Sequence, residues 1–181
     1  MIAHEQEPRT VYLSHAVEVP VGASVAFDYV RNDLGRVYTS IARGHEYFTP
    51  TDGEPLHAGS VIDCAEHAGN QSIVHRYVVN DLDRPNRILY SSCPSRLKVR
   101  LPWNTIESTS NTHVLYELEQ LGTNRSRIRV VIAIELHSRA ERFFTRLVGG
   151  FVPWKRHCVE EMEGLKRMMV QECSETPVAI V

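Results

Sequence analysis

The sequence lacks the features that mark several large classes of protein. It has four cysteines, Cys64, Cys93, Cys158 and Cys173, and no CxxC pair that could begin a zinc ribbon or a redox site. It contains no run of the ~18 consecutive apolar residues that a transmembrane helix needs. Neither sign of charge dominates, because 20 Lys and Arg against 22 Asp and Glu give a net charge of -2. Composition therefore gives no case for a redox site, a membrane span or nucleic-acid binding, and we expect reduced thiols.

The chain does have the composition of an ordinary globular protein. Hydrophobic residues make up 43% and charged residues 23% of its 181 residues, which is enough to bury a core. This length predicts one domain over residues 1–181, with a core at about residues 10–172 and flexible ends. The opening segment MIAHEQEPRT is polar and lacks the apolar stretch of a secretory signal, so we expect a cytoplasmic protein.

Alternation of apolar and polar residues predicts most of the strands. The first segment with this pattern is followed by turn residues, and from residue 57 onward further segments follow one another, which is typical of an antiparallel meander. The predicted strands are residues 10–19, 60–67, 72–81, 87–93, 96–101, 113–121 and 127–137. Residues 104–112 read as a loop.

Helical spacing occurs in two parts of the chain. After the first strand, Ser24 and Asp33 mark the starts of two short helices. Towards the C-terminus, apolar residues recur at steps of one, three or four between Phe143 and Met168. This pattern predicts a short helix, a kink at Pro153 and a long helix ending near residue 171.

This element order, opened by HAVEVPVGASVAFDYV and closed by the strand pair YELEQLGTNRSRIRVVIAIEL, resembles the START/Bet v 1-like helix-grip (SRPBCC) superfamily. The polyketide cyclase/dehydrase-like branch is the most similar. The resemblance implies an α+β fold in which a curved antiparallel sheet of about seven strands surrounds a long C-terminal helix. It also implies a cavity for lipids, hormones, polyketides or other apolar ligands. It assigns no catalytic residue, because no catalytic signature spans all branches.

Polar side chains on apolar strand faces are the candidates for chemistry in such a cavity. By strand parity, His15 shares a face with Leu13, His75 lies with Tyr77, and Tyr116 follows the same pattern in its strand. Because imidazole titrates near neutral pH, His15, His75 and Tyr116 are the candidate catalytic groups. The candidate ligand-binding residues are Tyr77, Tyr90, Trp103, Ile132, Ile134 and Trp154. The alternative, that each histidine is a hydrogen-bonded core residue, stays open.

The nine histidines show no spacing typical of a metal site. A catalytic zinc needs three protein ligands on one face, but HExxH is absent and the neighbours Glu66 and His67 point to opposite faces of a strand. We therefore expect neither a metal nor another cofactor. Zinc hydrolases do occur on helix-grip scaffolds, so a zinc hydrolase stays an alternative, with His45, His75 and Glu66 as first candidate ligands.

Three functions remain in view. The first is a lyase or isomerase of the polyketide cyclase/dehydratase type, which folds a substrate in the cavity and moves protons with His or Tyr. The second is a non-catalytic carrier of a lipid or metabolite, and the third is the zinc hydrolase. The expected partner is a hydrophobic or aromatic small molecule, with no nucleic acid and no membrane insertion. A homodimer is left open.

Overall fold

The structure, a computed structural model, describes residues 9–136 and 151–175. In these residues seven strands form one sheet, in the order β1-β7-β6-β5-β4-β3-β2, and all neighbouring strands are antiparallel. The elements are β1 (Arg9–Val19), α1 (Ala23–Ile41), β2 (His45–Pro50), β3 (Val61–Ala68), β4 (Gln71–Asp83), β5 (Arg87–Arg100), β6 (Thr105–Gly122), β7 (Arg125–Leu136) and α2 (Val152–Glu175). The predicted α+β fold, with its antiparallel sheet and long C-terminal helix, is confirmed.

The core lies between the sheet and the two helices. Met162 and Leu165 of α2 have no exposed surface and belong to the same core cluster as Tyr116 and Ile128 of the sheet. A second cluster at the other end of the sheet contains Trp154, near the start of α2. The sheet therefore packs against the whole apolar face of α2, because that face repeats with the helical period.

One helix stands where two short helices were expected. Helix α1 runs from Ala23 to Ile41 without a break, and its buried residues recur at helical spacing along its whole length. Asp33 does not cap a second helix, because its Oδ1 accepts a hydrogen bond from Nε of Arg36 one turn later (3.1 Å). No proline or glycine separates Val30 from Leu34, so nothing in the chain ends the helix there.

The strands differ from expectation at three places. The short strand β2 was not predicted, β5 is continuous where two strands were expected, and β6 begins at Thr105 instead of near residue 113. The serine- and threonine-rich start of β6 pairs with β5 across a register shift between Ser92 and Ser95. Tertiary pairing thus overrides the loop-like composition of that segment.

The C-terminal helix also differs in detail. It begins at Val152, so Pro153 stands in its first turn, where a missing N–H costs nothing, and it extends to Glu175 instead of residue 171. The expected short helix lies outside the described residues, as do the outermost parts of both chain ends.

Helices α1 and α2 approach closely at Gly164. A Cβ atom on Gly164 would lie 2.6 Å from the carbonyl carbon and 2.7 Å from the Cα of Ile41, the last residue of α1. Gly164 is therefore a position at which the backbones of the two helices leave no room for a side chain.

We predict that Gly164→Ala lowers the free energy of unfolding by about 3 kcal/mol, because the added methyl group cannot fit against the backbone of Ile41. Urea denaturation measures the loss. Gly122→Ala is the control, since among the described residues nothing lies within 4 Å of its Cβ position. Equal stability of the two variants would contradict the close helix contact.

Candidate functional site

A narrow cavity lies between the sheet and α2. The cavity volume is about 40 Å³, and the empty space among the lining atoms, including the part that opens to solvent, is about 670 Å³. Its wall is mostly aliphatic and aromatic. The apolar lining residues include Leu13, Phe48, Ile73, Leu97, Val114 and Phe151.

Most of the predicted site residues meet at this cavity. The residues among them that line it are His75, Tyr77, Tyr90, Ile132, Ile134 and Trp154. Tyr116 is fully buried one layer behind the wall, and its hydroxyl donates a hydrogen bond to Oε1 of the lining residue Glu161 (2.8 Å). Strand parity therefore predicted the correct face of the sheet for the strand residues among them, while Trp154 comes from α2.

Two predicted site residues lie elsewhere. His15 is partly exposed and its Nε2 lies 3.4 Å from Oε1 of Glu163 on α2, while Trp103 is 81% exposed in the loop between β5 and β6. Neither is among the described residues that line the cavity. Strand parity predicted which face of the sheet carries His15, but it could not predict that a residue of α2 lies over this side chain. A loop residue such as Trp103 has no periodicity from which the direction of its side chain can be predicted.

A cluster of three histidines surrounds Glu66 at one end of the cavity. Its carboxylate lies 2.9 Å from Nε2 of His157, 3.3 Å from Nε2 of His75 and 3.7 Å from Nε2 of His45. Strand register explains two of these neighbours: His45 is the cross-strand partner of Glu66, and His75 stands opposite Cys64, two residues away. His157 arrives from α2.

The fold brings together three possible metal ligands that the sequence spacing did not reveal, and two of them, His45 and Glu66, are among the candidates named for the zinc alternative. One donor atom from each of His45, Glu66 and His157 lies within 4.8 Å of the others. Sequence spacing did not show this group, because one ligand comes from the unpredicted strand β2 and another from a helix 91 residues beyond Glu66.

The ring of His45 has a defined orientation. Its Nδ1 lies 2.8 Å from the backbone carbonyl oxygen of Tyr38, which can only accept, so Nδ1 donates. The ring also stacks on the Tyr38 ring at 3.6 Å between centroids. Nε2 points towards Glu66 and, within the described part of the chain, is buried without a hydrogen-bond partner.

In this cluster the carboxylate and the imidazoles around it favour each other's charged forms. Burial alone would raise the pKa of Glu66, but the hydrogen bonds from His157 and His75 lower it well below its usual range. Burial likewise opposes the charged form of His157, yet its hydrogen bond with Glu66 raises the pKa of the imidazole. Glu66 is therefore a carboxylate whose charge is balanced by imidazoles.

A second carboxyl group, Glu161, has the opposite electrostatics. It is only 6% exposed, and its burial together with the nearby charge of Glu66 raises its pKa, although His45, His157 and the Tyr116 hydroxyl act the other way. Burial also raises the pKa of Tyr116 well above its usual value. The protonated form of each group is therefore favoured, and Glu161 is the one of the two that lines the cavity.

Glu161 was not among the predicted site residues and Glu66 was named only as a candidate zinc ligand, although the sequence carried signals for both carboxyl groups. Glu66 has the same strand parity as the buried residues Ile62 and Cys64. Glu161 lies four residues after His157 and three after Cys158, on the buried face of α2. Its neighbours Glu160 and Glu163 made the segment look like a solvated charged face.

Comparison with known proteins identifies the fold. No family model and no curated protein matches the sequence. Among solved structures, a major latex-like protein of Panax ginseng superposes with a TM-score of 0.64 at 9% identity, covering 89% of this chain and 98% of that one. Norcoclaurine synthase of Thalictrum flavum, in complex with dopamine and hydroxybenzaldehyde, gives 0.58 at 11% identity over 91% and 89%. A START superfamily protein of Mycobacterium smegmatis gives 0.56 at 14% identity over 90% and 98%.

The chain therefore has the Bet v 1-like/START helix-grip fold, as the sequence resemblance implied. This fold commonly holds hydrophobic ligands between its sheet and its long helix. At these identities the likeness concerns the fold and does not transfer a reaction. Neither of the described helices combines the length and the apolar character that crossing a membrane requires.

We predict that Glu161→Gln stabilises the protein increasingly as the pH rises. Because the pKa of Glu161 is raised from 4.5 by folding, its stabilising contribution is present below about that pH and is lost at higher pH. Glutamine keeps an oxygen for Tyr116 and cannot ionise. The gain should reach about 1.4 kcal/mol for each pH unit between the unfolded and folded pKa.

Thermal unfolding from pH 4 to pH 8 in a chelating buffer measures this difference. Glu163→Gln, on the exposed side of the same helix, controls for the loss of a carboxylate and should change stability by less than about 0.5 kcal/mol. A constant difference between Glu161→Gln and the wild type across this range would show that Glu161 ionises normally in the folded protein.

Proposed function

We propose that the protein binds a small aromatic or other apolar molecule in its cavity and acts on it as a polyketide cyclase/dehydratase-like enzyme. The observation that carries this proposal is a cavity lining that is mostly apolar but includes a cluster of proton-transferring side chains around Glu66. Such an arrangement orients a ligand that is apolar along most of its length and oxygenated at one end.

The apolar wall suits a flat ligand. Tyr77, Tyr90 and Phe48 form edge-to-face pairs with centroids 4.8 Å and 6.2 Å apart, and Trp154 lines the same cavity. Aromatic faces and edges of this kind favour contact with another ring. Because the cavity is narrow, a ring-sized ligand enters only with movement of lining side chains.

At the polar end, two groups are positioned to move protons. His75 is held by Oγ of Ser95, 2.8 Å from its Nδ1, and its ring stacks on Tyr77 at 4.5 Å. On the helix side, Glu161 lines the cavity and receives the Tyr116 hydroxyl. In the proposed reaction one of these two groups takes a proton from the substrate while the other gives one, as enolisation and dehydration both require.

A carrier without catalytic activity is the second candidate. It needs the same apolar wall, and the polar end then only fixes the ligand's orientation. The two candidates differ in turnover, not in binding, so binding and turnover are tested separately.

For binding, hydroxybenzaldehyde and benzaldehyde form a matched pair of probes. We expect hydroxybenzaldehyde to bind about tenfold more tightly, because its hydroxyl group gains a hydrogen bond at the polar end. Calorimetry with His75→Phe should show that this preference falls, while His113→Phe, outside the cavity lining, keeps it. If neither probe binds to the wild type, or the preference survives in His75→Phe, the polar end does not orient the ligand.

For turnover, we expect His75→Phe and Glu161→Gln each to slow conversion of a linear poly-β-keto thioester to cyclised or dehydrated product by about 100-fold or more. Mass spectrometry of the product mixture measures the rate, and His113→Phe is again the control. Binding of apolar probes without any product from a range of such substrates would favour the carrier.

A further inference from the structure

We propose that His45, Glu66 and His157 bind one divalent transition metal ion of the Zn²⁺ type at the polar end of the cavity. This site goes beyond the proposed function and does not depend on it. Two imidazole nitrogens and one carboxylate oxygen are a ligand set that such ions take in proteins.

The spacing of the donor atoms fits an ion after a small adjustment. Zinc lies about 2.0–2.2 Å from nitrogen and oxygen ligands, so ligand atoms around one ion are roughly 3–4 Å apart. In the structure Oε2 of Glu66 lies 2.9 Å from Nε2 of His157 and 3.7 Å from Nε2 of His45, and all three donor atoms lie within 4.8 Å of one another. Movements of about 1 Å complete the geometry.

His45 gives an independent indication of a ligand. Its side chain has no exposed surface, and its Nδ1–H donates to the carbonyl oxygen of Tyr38. In the neutral ring Nε2 then carries a lone pair, and it is buried without a hydrogen-bond partner among the described residues. At 3.7 Å from Glu66, this nitrogen is too far for a hydrogen bond but well placed to share a cation with the carboxylate.

The surroundings support the three ligands as a metal site requires. Metal-bound histidines usually donate their second ring N–H to a carbonyl or carboxylate, as His45 does to Tyr38. Nε2 of His75, 3.3 Å from Oε1 of Glu66, holds the other carboxylate oxygen. Gly44 leaves room for the His157 ring, because a Cβ atom there would lie 2.8 Å from Cε1 of that ring.

Charge and access also favour this position. The carboxylate of Glu66, whose side chain is only 13% exposed, offsets part of the charge of a divalent cation, and the buried carboxyl group of Glu161 can ionise beside it. On binding, the ion replaces the proton between Glu66 and His157. Both of these residues line the cavity, so the remaining coordination positions of a three-ligand ion face the ligand space.

The test is a titration of the full, chelator-treated chain with Co²⁺, followed by its visible absorption. We expect one Co²⁺ per chain, with visible bands that added Zn²⁺ removes. Glu66→Gln and His45→Gln should each weaken binding by about 100-fold or more, because each removes a ligand. Circular dichroism checks that these variants remain folded.

Two control variants separate this site from surface histidines. His113→Gln changes a half-buried histidine beside Glu135, and His67→Gln changes an exposed histidine beside Glu46. Both should bind Co²⁺ as the wild type does.

The proposal is overturned if the wild type shows no stoichiometric Co²⁺ binding, whether or not a variant folds. It is also overturned if Glu66→Gln and His45→Gln keep the wild-type affinity, or if His67→Gln or His113→Gln loses it. None of these results bears on aldehyde binding, so the proposed function fails or stands separately.

Discussion

Burying the carboxylate of Glu66 is the physical constraint on which the rest of the site depends. An isolated buried carboxylate is costly, so it must be met by donors or positive charge. The donors are His75 on β4 and His157 on α2, while His45 on β2 places its Nε2 3.7 Å from the same carboxylate. Glu66 therefore connects strands β3 and β4 to the long helix.

The cavity follows from the same arrangement. Its apolar wall is formed where side chains that point inward from the sheet meet the start of α2. These side chains do not completely fill the space between the sheet and the helix. The register shift in β5 brings Ser95 beneath His75, and Thr112 of β6 lies within hydrogen-bond distance of Ser95 (3.0 Å). A bulge in one strand thus gives a polar end to an interior that alternation along regular strands would make apolar.

The fold was more predictable from sequence than the site was. Period-two alternation fixed the faces of His75, Tyr77 and Tyr116, because a strand with one buried face leaves no freedom of register. The same reasoning could not predict that His45 and His157 lie close together, because the local sequence pattern around each residue contains no information about the other segment. Trp103 shows a second limit of sequence-based prediction. Because it lies in a loop, neither hydrophobic periodicity nor strand pairing predicts the direction of its side chain.

Glu66 and Glu161 show how one interior can hold two carboxyl groups in different states. Both are buried, but Glu66 has close imidazole donors, whereas Glu161 has the Tyr116 hydroxyl and the charge of Glu66 nearby. Their pKa values therefore move in opposite directions, down for Glu66 and up for Glu161. Environments that separate two carboxyl groups in this way favour the charged form of one beside the protonated form of the other. This difference between the pKa values of the two carboxyl groups suits both a cavity enzyme and a metal site. It arises from the secondary-structure elements that meet at Glu66 and does not require a bound ligand.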